Sequence, residues 1–229
     1  MHATSTHSPK QHQIDAATGL SERYKLLTAA TLCQLRSDLF SNALSAESVL
    51  KQLSRDGILR ESSLYRNRSC FHAVSSNPEQ EDLSEMAKIR SYAMLAVCAS
   101  KTASRTKLTQ KELHQYFSDV YRSGLALNYY IDFAPSDPVL GFLRVDTGGA
   151  ARWDRIVAKA QSDVRKHRLD PSFERFLKRR AFEVRIVTAL PQKADRVRRA
   201  LIDKPSPGGV PIHVSIVPEL INLIAPLPS

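Results

Sequence analysis

Hydrophobic positions between residues 20 and 76 follow two different spacings in turn. Three short helical patterns come first and two alternating strand patterns follow. The predicted helices span residues 21–27, 29–36 and 45–55. The predicted strands span residues 58–64 and 70–74, and a hairpin tip at 65–69 joins them. Ser21, Thr28 and Ser45 are residue types that cap helix starts, and Gly57 suits a helix end. This order predicts a winged helix-turn-helix domain.

Two polar stretches flank the predicted domain. Residues 1–19 are rich in His, Ser, Thr and Gln and have no apolar run, which indicates a disordered tail. Residues 77–84 are acidic and contain a proline, which predicts a linker. The sequence is therefore divided into a tail, a small domain, a linker and a larger second domain.

The second domain, 85–229, alternates helix and strand signals. Strand patterns fall at 129–133, 140–146, 182–189 and 210–217. Apolar residues over 153–164 recur at helical spacing, and Thr109 with Glu112 forms a capping box before another helix. This alternation predicts a mixed α/β domain, so the whole chain is expected to be α+β.

The charge of the chain narrows its expected partners. The formal net charge is +10, which favours a polyanionic partner, either nucleic acid or an anionic membrane surface. No apolar run approaches the roughly 20 residues needed to cross a bilayer. Three separated cysteines without a CxxC pair suit free thiols in a reducing cytoplasm rather than a zinc site. We expect a cytoplasmic protein without a metal or other cofactor.

The third predicted helix carries side chains suited to DNA. In a winged helix this element enters the major groove, where Gln, Glu and Lys side chains can read base edges. The candidates for base contacts are Ser45, Glu47, Ser48, Lys51 and Gln52, and those for phosphate contacts are Asn42 and Arg55. Arg66, Asn67 and Arg68 at the hairpin tip suit the minor groove or the backbone. A polar outer face alone is also typical of any solvated helix, so the prediction depends on the combination with the hairpin.

Most of the excess positive charge lies in the second domain. Residues 151–200 contain fifteen Lys and Arg against six Asp and Glu, a net of +9, whereas residues 21–77 contain eight against five, a net of +3. The candidate basic patch consists of Arg152, Arg155, Lys159, Arg165, Lys166, Arg196 and Arg199. We expect either a second nucleic-acid contact, an acidic protein partner, or a merely solvated face.

Candidate catalytic residues are few. HExxH, Walker A and GxSxG motifs are absent from the sequence. Asp132, Asp146 and Glu183 lie on three consecutive predicted strands, where carboxylates of a Mg²⁺-dependent nuclease could converge. Tyr129 and Tyr130 are adjacent on one strand, so at most one is expected to face the core. We expect no enzymatic activity, with a nuclease as the alternative.

Several short motifs resemble one family of mobile-element proteins. They are Leu26-Leu27-Thr28 with Leu32, the run from Leu50 through Leu53 to Gly57-Ile58, and Gly141-Phe142-Leu143-Arg144-Val145-Asp146. They resemble the replication-relaxation family, whose second domain is similar to restriction-endonuclease-like folds. That family often carries Glu-x-Asp where this chain has Arg144-Val145-Asp146, and Arg185 likewise departs from a Glu-x-Lys match. The resemblance implies DNA binding with a non-catalytic second domain.

These observations predict a double-stranded DNA-binding protein. Its expected role is that of a transcriptional regulator, or of a replication or transfer accessory factor of a bacterial mobile element such as a plasmid. A homodimer is expected because two-fold DNA sites favour two-fold proteins. The second domain could also bind a protein partner. The remaining alternative is a protein-recruitment module whose winged helix binds no DNA.

Overall fold

The chain is mixed α+β, as predicted, and it divides into two compact units, Met1–Ser84 and Glu85–Ser229. The computed structural model describes residues 9–65, 68–74, 83–100, 104–121, 128–147 and 152–224. Within these ranges, none of the helices combines the length and the apolarity that crossing a bilayer requires. Each unit has its own core and is described separately.

The first unit consists of three helices and an antiparallel hairpin. Its elements are α1 (Gln11–Tyr24), α2 (Ala29–Leu35), α3 (Ala43–Arg55), β1 (Leu59–Tyr65) and β2 (Arg68–Ala73). Leu27 and Phe71 form an isolated antiparallel bridge through reciprocal backbone hydrogen bonds of 2.8 and 2.9 Å. This bridge lies on the edge of β2 that does not pair with β1. Leu32, Leu50 and Leu53 are fully buried and join the helices to the hairpin.

Part of the segment predicted to be a disordered tail is helical. The chain is helical from Gln11, so the prediction of a disordered tail to residue 19 is wrong for residues 11–19. Helix α1 packs through Ala17, Ser21 and Tyr24, a buried face whose small and polar residue types gave little apolar signal. Ser21 is not a cap but lies inside the helix, where its hydroxyl donates to the Thr18 carbonyl at 2.8 Å.

The boundaries of α3 are set by a side-chain cap and a glycine. The Ser45 N–H donates to Asn42 Oδ1 at 2.9 Å, so Asn42 is the N-cap and the prediction of Ser45 as the cap is wrong. Gly57 has a φ of 72°, a left-handed conformation that favours glycine, and it ends the helix as predicted.

The second unit is built on a five-stranded sheet. Its helices are α4 (Glu85–Ala99), α5 (Gln110–Tyr116), α6 (Trp153–Leu169), α7 (Glu174–Lys178), α8 (Pro191–Asp203) and α9 (Ile221–Ile224). Its strands are β3 (Arg105–Lys107), β4 (Tyr129–Asp132), β5 (Val139–Val145), β6 (Phe182–Thr188) and β7 (Ile212–Ile216), in that spatial order. The β3–β4 and β4–β5 pairs are antiparallel, whereas β5–β6 and β6–β7 are parallel.

Helices cover both faces of this sheet. Helices α6 and α8 connect the parallel strands and share a core with Tyr129, Phe182 and Val184 on the first face. Helix α4 packs against β3 and β5 on the second face. Tyr129 and Tyr130 are therefore both buried, and the prediction that at most one faces a core is wrong. Adjacent strand residues point to opposite faces of the sheet, and in this unit helices pack against both faces.

Candidate nucleic-acid interface

Helix α3 presents one continuous stripe to solvent. Leu44, Ser48, Lys51 and Arg55 are all exposed and stand at i, i+4, i+7 and i+11, so they share one face of the helix. The buried face opposite consists of Val49, Leu50 and Leu53, as the periodicity predicts, together with Ala46. The exposed stripe could contact a ligand along its length without disturbing the core.

Several predicted base-reading side chains already have partners within the helix. Lys51 Nζ lies 2.7 Å from Glu47 Oε1, and the Gln52 amide donates to Asp56 Oδ1 at 2.9 Å. The Ser45 hydroxyl donates to the Asn42 carbonyl at 2.8 Å. Exposed contacts of this kind contribute little stability and exchange readily with water or a ligand. Ser48 and Arg55 are exposed, whereas Ser45, Glu47 and Gln52 are half-buried.

Leu44 is a surface feature that the sequence prediction missed. It is 77% exposed in the first turn of α3 and lies one turn before Ser48 on the stripe. The cue was present in the sequence, because Leu44 falls on the polar side of the periodic pattern that places Val49 and Leu53 inside. An apolar side chain on such a face can contact the methyl group of thymine in the major groove.

The hairpin beside α3 carries part of the predicted basic tip. Arg68 is exposed at the start of β2, and its guanidinium lies 5.6 Å from the centre of the Tyr65 ring. This cation–π contact holds the cation beside the end of the hairpin. Arg66 and Asn67, which the sequence placed at the tip, lie outside the described residues.

The predicted basic patch lies on the outer side of the α6–α8 layer. All seven of its residues are exposed: Arg152, Arg155, Lys159, Arg165, Lys166, Arg196 and Arg199. None of them forms an ion pair within the described ranges, whereas Arg198 pairs with Asp195 at 2.9 Å. Their charge is therefore not neutralised by neighbouring carboxylates of the described residues. A surface of this kind attracts a polyanion through long-range charge and counterion release.

Each of the three candidate metal-binding carboxylates has a cationic partner. Asp132 Oδ2 lies 2.7 Å from Arg105 Nε, and Asp146 Oδ2 lies 2.7 Å from Lys193 Nζ. Glu183 pairs with Arg185 at 2.9 Å. A carboxylate with a cation beside it is already neutralised, which opposes binding of a second positive charge.

The three carboxylates also lie on different faces of the sheet. Glu183 alternates with Phe182 and Val184, which belong to the α6–α8 core, so Glu183 lies on the α4 face. Asp132 lies on that face too, but Asp146 points to Lys193 of α8 on the opposite face. The structure therefore does not bring them together, and no group of three potential metal ligands occurs among the described residues.

Glu183 instead belongs to a buried polar network. The Tyr130 hydroxyl donates to Glu183 and accepts from Arg185 Nε at 2.9 Å. Arg185 also donates to Ser215 Oγ at 3.1 Å, and His213 Nε2 lies 3.2 Å from the second Glu183 oxygen. Burial acts to raise the Glu183 pKa, but these hydrogen bonds and the Arg185 charge together lower the pKa to about 2.

Comparisons with known proteins assign neither a family nor an activity. No protein-family model matches the chain, and comparisons with curated proteins and with solved structures find no significant match. The resemblance to the replication-relaxation family therefore stays a prediction. Any functional assignment depends on the surfaces and contacts described above.

Proposed function

We propose that this chain binds double-stranded DNA, with its first unit acting as a winged helix-turn-helix. The observation that carries the proposal is the exposed stripe of α3, next to a two-stranded hairpin that carries Arg68. Three helices followed by a hairpin are the elements of a winged helix, in which the third helix enters the major groove. On this proposal Leu44, Ser48 and Lys51 face the bases, and Arg55 lies near a phosphate.

The second unit contributes backbone affinity in this proposal. Its seven exposed cations, six on α6 and α8 and one just before α6, form no ion pairs among the described residues, so they can displace the counterions of DNA phosphates directly. Phosphate contacts of this kind carry no sequence information. The stripe of α3 would supply preference for particular bases, and the basic layer would supply affinity for any duplex.

The wider role follows the same proposal. DNA binding suits a transcriptional regulator, or a replication or transfer accessory factor of a bacterial mobile element, working in the cytoplasm as a homodimer. Cys33, Cys70 and Cys98 form no disulfide with one another, and a reducing compartment would keep them as thiols.

Selection from a random duplex pool, followed by fluorescence anisotropy on the selected duplexes, tests sequence reading by α3. The variant Ser48→Ala with Lys51→Ala is expected to lose preference for selected duplexes over scrambled ones and to keep weak, salt-sensitive binding. Lys10→Ala, which removes one exposed cation before α1, is the control and should keep the preference. Failure of the unmodified chain to bind any duplex at low salt would contradict the proposal and favour protein recruitment.

A salt titration tests the basic layer separately. Replacing Arg155, Lys159 and Lys166 by Gln is expected to reduce the slope of log affinity against log salt concentration by as much as about 2.7, because each phosphate contact contributes about 0.9 to this slope. The matched control exchanges Arg and Lys at the same positions, which keeps the charge and should keep the slope. Equal slopes in all three proteins would show that α6 does not contact DNA.

A further inference from the structure

A pocket in the second unit is lined by both cationic and apolar side chains. Its volume is about 720 Å³, which is within the range of small-molecule sites. Arg168, Lys178 and Arg180 supply the cations, and Leu177, Val210 and Pro211 supply apolar surface. Among the described residues, no acidic side chain lines the pocket. A ligand that fits both halves would carry negative charge and an apolar body.

The three cations that line the pocket differ in whether they have an ion-pair partner. Lys178 pairs with Glu174 at 2.6 Å, but Arg168 and Arg180 have no ion-pair partner in the part of the chain that the structure describes. Arg168 lies against Gly208, where a Cβ atom would overlap its side chain. Gly208 and Gly209 have φ values of 64° and 70°, so this turn of the pocket wall requires glycine and leaves room for the guanidinium.

Arg180 occupies a backbone position that ordinarily favours glycine. Its φ is 54°, and the backbone turns there from the end of α7 into β6, with the Arg180 N–H donating to the Leu177 carbonyl at 3.1 Å. A left-handed residue at a helix end is usually glycine because a Cβ atom is disfavoured there. Arg180 is therefore an arginine at a backbone position that disfavours a side chain, and it lines the pocket.

We propose that this pocket binds a small phosphorylated molecule, with the phosphate between Arg168 and Arg180 and an aromatic or apolar body over Leu177, Val210 and Pro211. Guanidinium groups match the geometry of phosphate oxygens, and two of them can share one phosphate. The site lies within the second unit and is independent of DNA binding by α3. It would serve as a site for a small effector.

Phenyl phosphate is the minimal probe, because it joins one phosphate to one aromatic ring. Titration into the unmodified chain, followed by NMR, is expected to shift the amide signals of Gly208 and Gly209. Inorganic phosphate and phenol each supply one half of the probe and should bind more weakly. Inorganic phosphate binding as tightly as phenyl phosphate would overturn the apolar half of the proposal, and phenol binding as tightly would overturn the charged half. Absence of binding by phenyl phosphate would overturn it entirely.

Arg180→Gly separates a binding role from a structural one. Glycine adopts the left-handed conformation without strain, so the variant is expected to unfold at a higher urea concentration while binding phenyl phosphate about fivefold more weakly. Arg179→Gln removes a neighbouring exposed cation that neither lines the pocket nor belongs to the basic patch, and it should bind phenyl phosphate with unchanged affinity. Unchanged affinity in Arg180→Gly, or an equal loss in Arg179→Gln, would overturn the proposal.

Discussion

Gly141 is expected to be a position where a single methyl group strongly destabilises the second unit. Tyr130 on β4 is fully buried, and its ring lies across Gly141 of the neighbouring strand to reach Glu183 and Arg185 on β6. A Cβ atom at Gly141 would overlap the Tyr130 ring. The Gly141→Ala variant must therefore displace the ring and break both hydrogen bonds of its hydroxyl.

The expected size of this effect combines the steric overlap with the two broken hydrogen bonds. Overpacking a core typically costs about 1–3 kcal/mol, and a hydrogen bond to a charged group contributes about 1.5–3 kcal/mol. Glu183 and Arg185 remain paired with each other at 2.9 Å, which limits the loss. We expect Gly141→Ala to lower the free energy of unfolding by about 4 kcal/mol. Tyr130→Phe keeps the ring in place and should cost only about 1–3 kcal/mol.

Urea unfolding followed by tryptophan fluorescence measures this change in the right unit, because the single tryptophan, Trp153, begins α6. A double-mutant cycle supplies the decisive comparison. In a Tyr130→Ala background the ring is absent, so Gly141→Ala should cost less than about 1 kcal/mol. Gly19→Ala meets no atom within 4 Å in α1 and should leave the Trp153 transition unchanged. An equal cost of Gly141→Ala in both backgrounds would refute the steric argument.

Three further predictions concern single side chains. Lys193 is 1% exposed and its ion pair with Asp146 is buried, so Lys193→Met should lower the unfolding free energy by about 3–5 kcal/mol in the Trp153 assay, and adding Asp146→Asn should recover part of it. The lowered pKa of Glu183 implies stability that is complete above its ordinary pKa of 4.5 and is lost as pH falls towards 2. Glu183→Gln should therefore flatten acid unfolding in that range, and an unchanged acid transition would contradict this. Replacing thymine by uracil in selected duplexes should lower their affinity for the unmodified chain more than their affinity for Leu44→Ala. An equal loss of affinity in the two proteins would exclude a contact with the thymine methyl group.

Much of the secondary structure follows from local chemistry, which is why it could be predicted. Thr28 caps α2, and Thr109 and Glu112 form the expected capping box of α5, with the Glu112 N–H donating to Thr109 Oγ1 at 3.2 Å. The apolar repeat after residue 153 predicted α6, which buries Ile156 and Val157. Such signals act within one helical turn, so they do not depend on the rest of the fold.

Elements without a strong local signal were missed. Strand β3 spans only Arg105–Lys107 and has no apolar alternation, and it forms because β4 offers an open edge. The first half of α1 has a polar sequence, and the only side chain that it buries is the small Ala17. In both cases tertiary pairing supplies what the local sequence lacks.

The candidate metal site fails for a reason that only the sheet register contains. Asp132, Asp146 and Glu183 lie on or next to consecutive strands, as predicted. A shared metal site also requires that their side chains lie on the same face of the sheet, and a shift of one residue along a strand moves a side chain to the other face. Asp146 follows β5 in the same parity as Arg144, which reaches Asp163 on α6 with Nε and Oδ2 2.7 Å apart. Glu183 faces the other way. The sequence could not reveal this, because β5 and β6 are parallel and joined by a helix, so no hairpin turn fixes their register. Each carboxylate instead pairs with a cation on its own side of the sheet, and removal of either partner would leave a charge without compensation inside the fold.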